Sequence, residues 1–350
     1  MSAPTTTAIL IERHGPPAVL VERRVPLRDP TPGEVQLRVR ATGVNFADLL
    51  MRAGLYGTVP PRPYSPGFEV AGEVARVGTD VAGWREGDRA VALLRHGGYA
   101  HDVVLPAAQL FRYPERLAPV TAAAIPVDFL TAWVALFEAA RVRPGETALV
   151  LGAGGGVGTA AVQLARRHGL RVLGTAGTAR KRTFVVEQLG AELCADARGA
   201  WEREIEALVG ARGIDVALDS VGGRATAACR RLLAPLGRLV FYGLSDAMPG
   251  SRRSWLRAAV AWLRTPRLHP ADLIQPNVGV CGIHLLHLRA REPLLRPALE
   301  SIFGAVLAGE LTPVVDRDFP LNRDGAMAAH RYLHERRNLG KVVLVREDIT

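Results

Sequence analysis

Apolar residues fall at every second position through much of the first third of the chain. In EVQLRVRAT, Val35, Leu37, Val39 and Ala41 share one face while Gln36, Arg38 and Arg40 share the other, the pattern of a strand with one side buried. EVAGEVARVG, DRAVALL and AHDVVLP continue it between Gly, Pro and Asp, which predicts an irregular barrel or sandwich from about Thr7 to Pro126, with few helices. From Leu130 the period changes. Strand-like runs ALVLG, RVLGTA, DVALDSV and GRLVFYG alternate with helical runs TAAVQLARRHG, TFVVEQLG and ATAACRRLL, which predicts a doubly wound parallel sheet. Two further helices, PALESIFGAVLAGEL and DGAMAAHRYLHERRN, precede a last strand KVVLV that periodicity assigns to neither domain. The fold class is α/β, without internal repeat or low-complexity tract.

Composition narrows this picture. A chain of 350 residues, 48% hydrophobic and 22% charged, is expected to form two globular domains. No stretch approaches the ~20 uninterrupted apolar residues of a bilayer span, and MSAPTTTAILIERHG has no basic stretch ahead of an apolar core, so a cytoplasmic location is expected. Cys194, Cys229 and Cys281 are odd in number and unlike any paired ligand spacing, and are expected to be small buried hydrophobes. The net charge of +10 is scattered among acids, which fits a solvated surface better than a nucleic-acid footprint. Arginine supplies nearly all of it, the only lysines being Lys181 and Lys341. SRRSWLRAAVAWLRTPR gathers Arg253, Arg257 and Arg264 opposite Trp255, Leu256, Ala259, Trp262 and Leu263; a helix packed on the protein is preferred to one lying on a membrane.

The glycines of LVLGAGGGVGTAAVQLARRHG carry the first chemical signal. A strand that enters a helix through such a turn brings backbone N–H groups and the positive helix end to one point, where a pyrophosphate can approach. The spacing is not G-x-G-x-x-G, because Val157 stands where the third glycine belongs; Gly152, Gly155 and Gly158 give G-x-x-G-x-x-G. At the end of the next strand an NAD site offers a carboxylate to the ribose. VLGTAGTARKR offers Arg180, Lys181 and Arg182 instead, matched to the extra phosphate of NADP.

With these residues in place, the chain resembles the zinc-independent medium-chain dehydrogenase/reductases, specifically the quinone oxidoreductase (zeta-crystallin) family. GVNFADLLMRAGLY, SPGFEVAGEV, AGGGVGTAAVQLA, LDSVGG, GRLVFYG and NLGKVVLV carry the resemblance nearly end to end. FYGLSDAMPGSRRSWL through NVGVCGIHL is most similar to the branch containing the synaptic-vesicle amine-transport protein. The resemblance implies a GroES-like catalytic domain of residues 1–127 and 292–350, a Rossmann domain of residues 128–291 between them, and homodimers that pair Rossmann sheets. It implies bound NADP(H), with Gly156, Val157, Thr175, Gly177, Tyr242, Gly243, Asn338 and Lys341 joining the glycine turn and the basic pair around the cofactor. Metal-dependent relatives hold catalytic zinc with a Cys and a His where this chain has Asn45 and Phe68. No metal is therefore expected, and hydride transfer to an electron-poor carbon of a quinone or enone remains, with Asn45, Tyr56 and Thr131 at the nicotinamide end. An enoyl thioester is the alternative substrate, and a lipid-binding role the alternative outside catalysis.

Three departures qualify the carry-over. Ala197 replaces the aromatic that many relatives place beside the adenosine phosphate, leaving Arg198 to reach it. Asp128 stands where that branch often has asparagine, and is read as a helix N-cap in preference to a proton donor. His96 is read as structural in preference to a general acid.

Overall fold

The computed structural model describes residues 4–57, 59–245, 269–288 and 291–347. The amphipathic segment 251–267 lies outside them. The chain forms two compact units, one from residues 4–127 and 286–347 and the other from 128–245 and 269–285.

In the first unit the period-two runs become a seven-stranded sheet. Its main path runs Val315–Pro320, Lys341–Val345, Glu34–Val44, Glu69–Val77, Arg89–Leu93, Leu110–Arg112, and Asp102–Pro106 also pairs with Glu34–Val44. Val35, Leu37, Val39 and Ala41 are fully buried, as alternation requires. Gln36 departs from it: this outer-face residue is buried too, and its amide donates to Asp102 Oδ1 at 3.1 Å. KVVLV, which periodicity left unassigned, lies antiparallel to Glu34–Val44 and parallel to Val315–Pro320, so both ends of the chain build this sheet. One helix is hidden in the strand-rich stretch, Phe46–Ala53. It ends at Gly54, where φ is +70° and a Cβ would strike the His14 ring.

The second unit is a six-stranded parallel sheet. Its strands run Leu193–Asp196, Arg171–Ala176, Thr147–Val150, Ile214–Asp219, Leu233–Phe241, Gly279–Gly282. Strand order reverses between Thr147–Val150 and Ile214–Asp219, the switch point at which doubly wound sheets bind ligands beyond their carboxyl ends. Leu149, Leu173, Ala217 and Leu239 from the sheet bury Trp201, Ile205, Cys229 and Leu232 from its helices. The periodicity does not show the helices Pro126–Trp133 and Trp201–Val209 or the four-residue strands Leu193–Asp196 and Gly279–Gly282. Cys194 and Cys229 are buried as expected, but Cys281, on the edge strand Gly279–Gly282, is exposed. The expectation that no stretch is span-like also needs correction. Pro119–Ala139 is long and apolar enough to cross a bilayer by length and composition, yet 72% of its apolar window is buried inside the protein.

Candidate active site and cofactor turn

Strand Thr147–Val150 leads through residues 151–155 into helix Gly156–Arg167. Gly152 supplies the left-handed turn at φ +67°, and a Cβ on Gly158 would overlap the Gly152 carbonyl, so helix and turn touch through bare backbone. Thr159 N–H makes the bond back to Gly155 O at 2.9 Å; the N–H groups of Gly156, Val157 and Gly158 precede it and have no i−4 carbonyl in their own helix. Donors at a helix start suit a phosphate. The clearance at Gly156 serves the protein as well as any ligand, for a Cβ there would overlap Asp128 Oδ2. Asp128 is buried in the first turn of helix Pro126–Trp133 as its third residue, not at the N-cap, which corrects the capping reading.

The basic cluster meets this turn directly. The Lys181 stem crosses Gly154, its Cβ 3.0 Å from where a Cβ on that glycine would stand. Thr178 caps helix Ala179–Glu187 by accepting from Lys181 N–H at 3.3 Å, which fixes where the lysine leaves the backbone. Arg180 is exposed beside it. Arg182, grouped with them in the sequence, instead pairs with Asp196 at 3.0 Å. Thr175 Oγ1 accepts from Gly152 N–H at 3.3 Å, and Arg198 Nε lies 3.6 Å from where a Cβ on Gly177 would stand. At the neighbouring strand ends Asp219 accepts from Val221 N–H, Gly222 N–H and Thr226 Oγ1 at 2.7–2.9 Å, while Tyr242 N–H donates to Asp219 O at 3.0 Å. A Cβ on Gly243 would come within 3.0 Å of Ser220 O, so this rim also needs glycine.

The catalytic unit gathers charge instead. Asn45 opens helix Phe46–Ala53, and its N–H donates to Asp48 Oδ2 at 2.8 Å while Gly67 N–H donates to Oδ1 at 2.8 Å. Asp48 is fully buried, and burial pushes its carboxyl up to about 7 against those two donors. Glu69, also fully buried, accepts from Asn45 Nδ2 at 3.0 Å and from Val127 N–H at 2.7 Å. Its ion-pair partner is Lys341, 2.6 Å away. Asn338 and Lys341 lie in this first unit: Asn338 Nδ2 donates to Gly340 O at 2.8 Å, and Lys341 Nζ donates to Asn45 Oδ1 at 2.8 Å. Glu69, Asp48 and the structural use of Lys341 were not read from the sequence; the two carboxylates flanking Asn45 and Phe68 were the available signal. Phe68, where metal-dependent relatives have a ligand, packs against Tyr56 with ring centroids 5.5 Å apart. Burial, then the Asp48 charge, pushes the Tyr56 phenol up to about 12. Thr131 lies buried in the second unit, in helix Pro126–Trp133, and His96 is exposed in the first. Among the described residues no three His, Cys, Asp or Glu side chains group as a metal set.

Comparison with known proteins places this geometry. Residues 31–115 match the alcohol dehydrogenase GroES-like domain family and residues 189–344 the zinc-binding dehydrogenase family. The rat synaptic vesicle membrane protein VAT-1 homolog is 36% identical over 90% of this chain and 78% of its own length. Pig quinone oxidoreductase is 31% identical over 97% of both. The crystal structure of Escherichia coli quinone oxidoreductase complexed with NADPH superimposes with a TM-score of 0.86 at 27% identity, covering 97% of this chain and 99% of that one. The chain therefore belongs to the medium-chain dehydrogenase/reductase family of oxidoreductases, in the branch of quinone oxidoreductases and VAT-1 homologs.

Proposed function

We propose that the protein is an NADPH-dependent, zinc-independent reductase of quinones or enones. When bound, the dinucleotide supplies a hydride to an electron-poor carbon. The β-carbon of an enone takes it, negative charge moves onto the conjugated oxygen, and a solvent proton completes the α-carbon. Asn45 and Tyr56 are the groups offered to that oxygen. The observation that carries the reading is the placement of Tyr56: its ring packs at a tilt against Phe68 with centroids 5.5 Å apart, and its phenol, protonated at neutral pH, can donate a hydrogen bond without giving up its proton. The first-turn N–H groups of helix Gly156–Arg167 would hold pyrophosphate, with Arg180 and Lys181 on the 2′-phosphate. The zinc-binding name of the matching family does not decide the metal question, since Asn45 and Phe68 replace two ligands.

The test is a panel of quinones, enones and enoyl thioesters followed by NADPH absorbance loss, with 4-deuterated NADPH. Label on the β-carbon is expected; label on a carbonyl carbon, giving an alcohol, defeats the reading. Turnover on enoyl thioesters alone would assign the enzyme to thioester reduction. Tyr56→Phe should lower turnover about a hundredfold while NADPH affinity holds. We extend the proposal to a homodimer joined along the edge strand Gly279–Gly282, supported by its one-sided pairing. Light scattering should give a dimer mass that Val280→Pro halves.

A further inference from the structure

Two opposite charges grip the Asn45 carboxamide. Glu69 Oε1 accepts from its Nδ2 at 3.0 Å, Lys341 Nζ donates to its Oδ1 at 2.8 Å, and the two charged groups stand 2.6 Å apart. All three side chains are buried, Glu69 completely. Turning the amide by half a revolution would set its oxygen against the carboxylate and its NH2 against the ammonium, so charge selects one orientation. Neutral neighbours would leave that choice open.

The backbone has made room for this arrangement. A Cβ on Gly43 would overlap Glu69 Oε1 and stand 2.6 Å from Lys341 Cε, so the strand Glu34–Val44 must carry glycine where the pair crosses it. This chain uses arginine almost everywhere, yet keeps lysine at 341, whose compact ammonium reaches both Glu69 and Asn45. Glu69 is pinned from its other oxygen by Val127 N–H at 2.7 Å, so neither partner of the amide is loose.

We propose that Lys341 and Glu69 are positioning residues that hold Asn45 with one Nδ2 hydrogen on Glu69 and the second directed to substrate, making the site a fixed donor. Polarised by the ammonium at its oxygen, that N–H favours a quinone or enone oxygen that gains negative charge. It offers no acceptor to a substrate hydroxyl. The proposal rests on the reading of Asn45 as a substrate contact, and its test separates the two.

The full-length protein, deuterated and labelled with 15N-asparagine, reports the side-chain amides, and the pair lost in Asn45→Ala is that of residue 45. Slow exchange and a shifted position are expected, and both should revert toward ordinary values in Lys341→Met combined with Glu69→Gln, a variant that leaves no buried charge stranded and whose folding is checked by thermal melting. An amide pair unchanged in that folded variant overturns the positioning role, whatever the protein reduces. With 1,4-benzoquinone and NADPH, the same variant should lose about 10- to 100-fold in kcat with the KM for NADPH unchanged. Adding Asn45→Ala to it should cost no more than Asn45→Ala alone, because the pair acts through Asn45. Independent, multiplying losses also overturn the proposal. A wild-type protein inactive on every quinone and enone but with the shifted amide pair keeps the positioning role and removes the reading of the reaction.

Discussion

The two units treat buried charge in opposite ways. Among the described residues the buried cations Arg52 and Lys341 both belong to the catalytic unit, together with Asp48 and Glu69. The nucleotide unit buries the carboxylates Asp128 and Asp219 but leaves Arg180 and Arg198 exposed. Desolvated ions hold position rigidly and cost several kcal/mol each unless paired, whereas backbone N–H groups at a helix start need no ion of their own. In the proposed function the first device orients a donor toward a reacting oxygen, and the second receives a phosphate.

The sharpest way to break this contrast is to strand one charge. Glu69→Leu leaves the Lys341 ammonium buried without its carboxylate and is expected to cost about 3–5 kcal/mol, read as a lower midpoint in urea. Asp48 gives a pH signature of the same environment. Its folded carboxyl is raised to about 7, so between about pH 4 and 7 the folded state keeps a proton that the unfolded chain has released. Stability due to this group therefore falls as pH rises through that window, by at most about 1.4 kcal/mol per pH unit, and levels off above it. Urea midpoints of wild type minus Asp48→Asn, measured from pH 4 to 8, should show that slope.

The nucleotide unit should respond in affinity instead. Removing Arg180 and Lys181 together is expected to weaken NADPH by about 1.5–3 kcal/mol per contact, leave NADH binding nearly unchanged, and spare the melting temperature, all readable by titration calorimetry and thermal melting. Arg182→Ala is the smallest effect. Its partner is Asp196 on the surface, so NADPH affinity should hold and stability change by less than about 1 kcal/mol.

Both sheets were legible as changes of period, and the glycine turn between strand and helix was legible as well, because these are local in sequence. Asp128 was misjudged because its neighbour is Gly156, 28 positions on, and no spacing rule links them. The pairing of Lys341 with Glu69 was not legible, because NLGKVVLV does not reveal which residue lies across the strand pairing. Helix Phe46–Ala53 was concealed by eight residues among strands, too few for a 3.6-residue period to stand out. Cys281, grouped with the other two cysteines as a small buried hydrophobe, is exposed, because number and spacing carry no information on burial.

The position of Lys341–Val345 has a consequence for synthesis. The strand lies between Val315–Pro320 and Glu34–Val44, so an interior strand of the sheet leaves the ribosome long after the strand it pairs with. The nucleotide unit, drawn from the middle of the chain, can fold while that strand is still unmade. Until it arrives, the Ala41–Val44 end of strand Glu34–Val44 presents an open hydrogen-bonding edge and Glu69 lacks its cation. A nascent chain that stalls before residue 341 is then a ready template for aggregation, and a chaperone that shields that edge has work to do until Val345 has emerged.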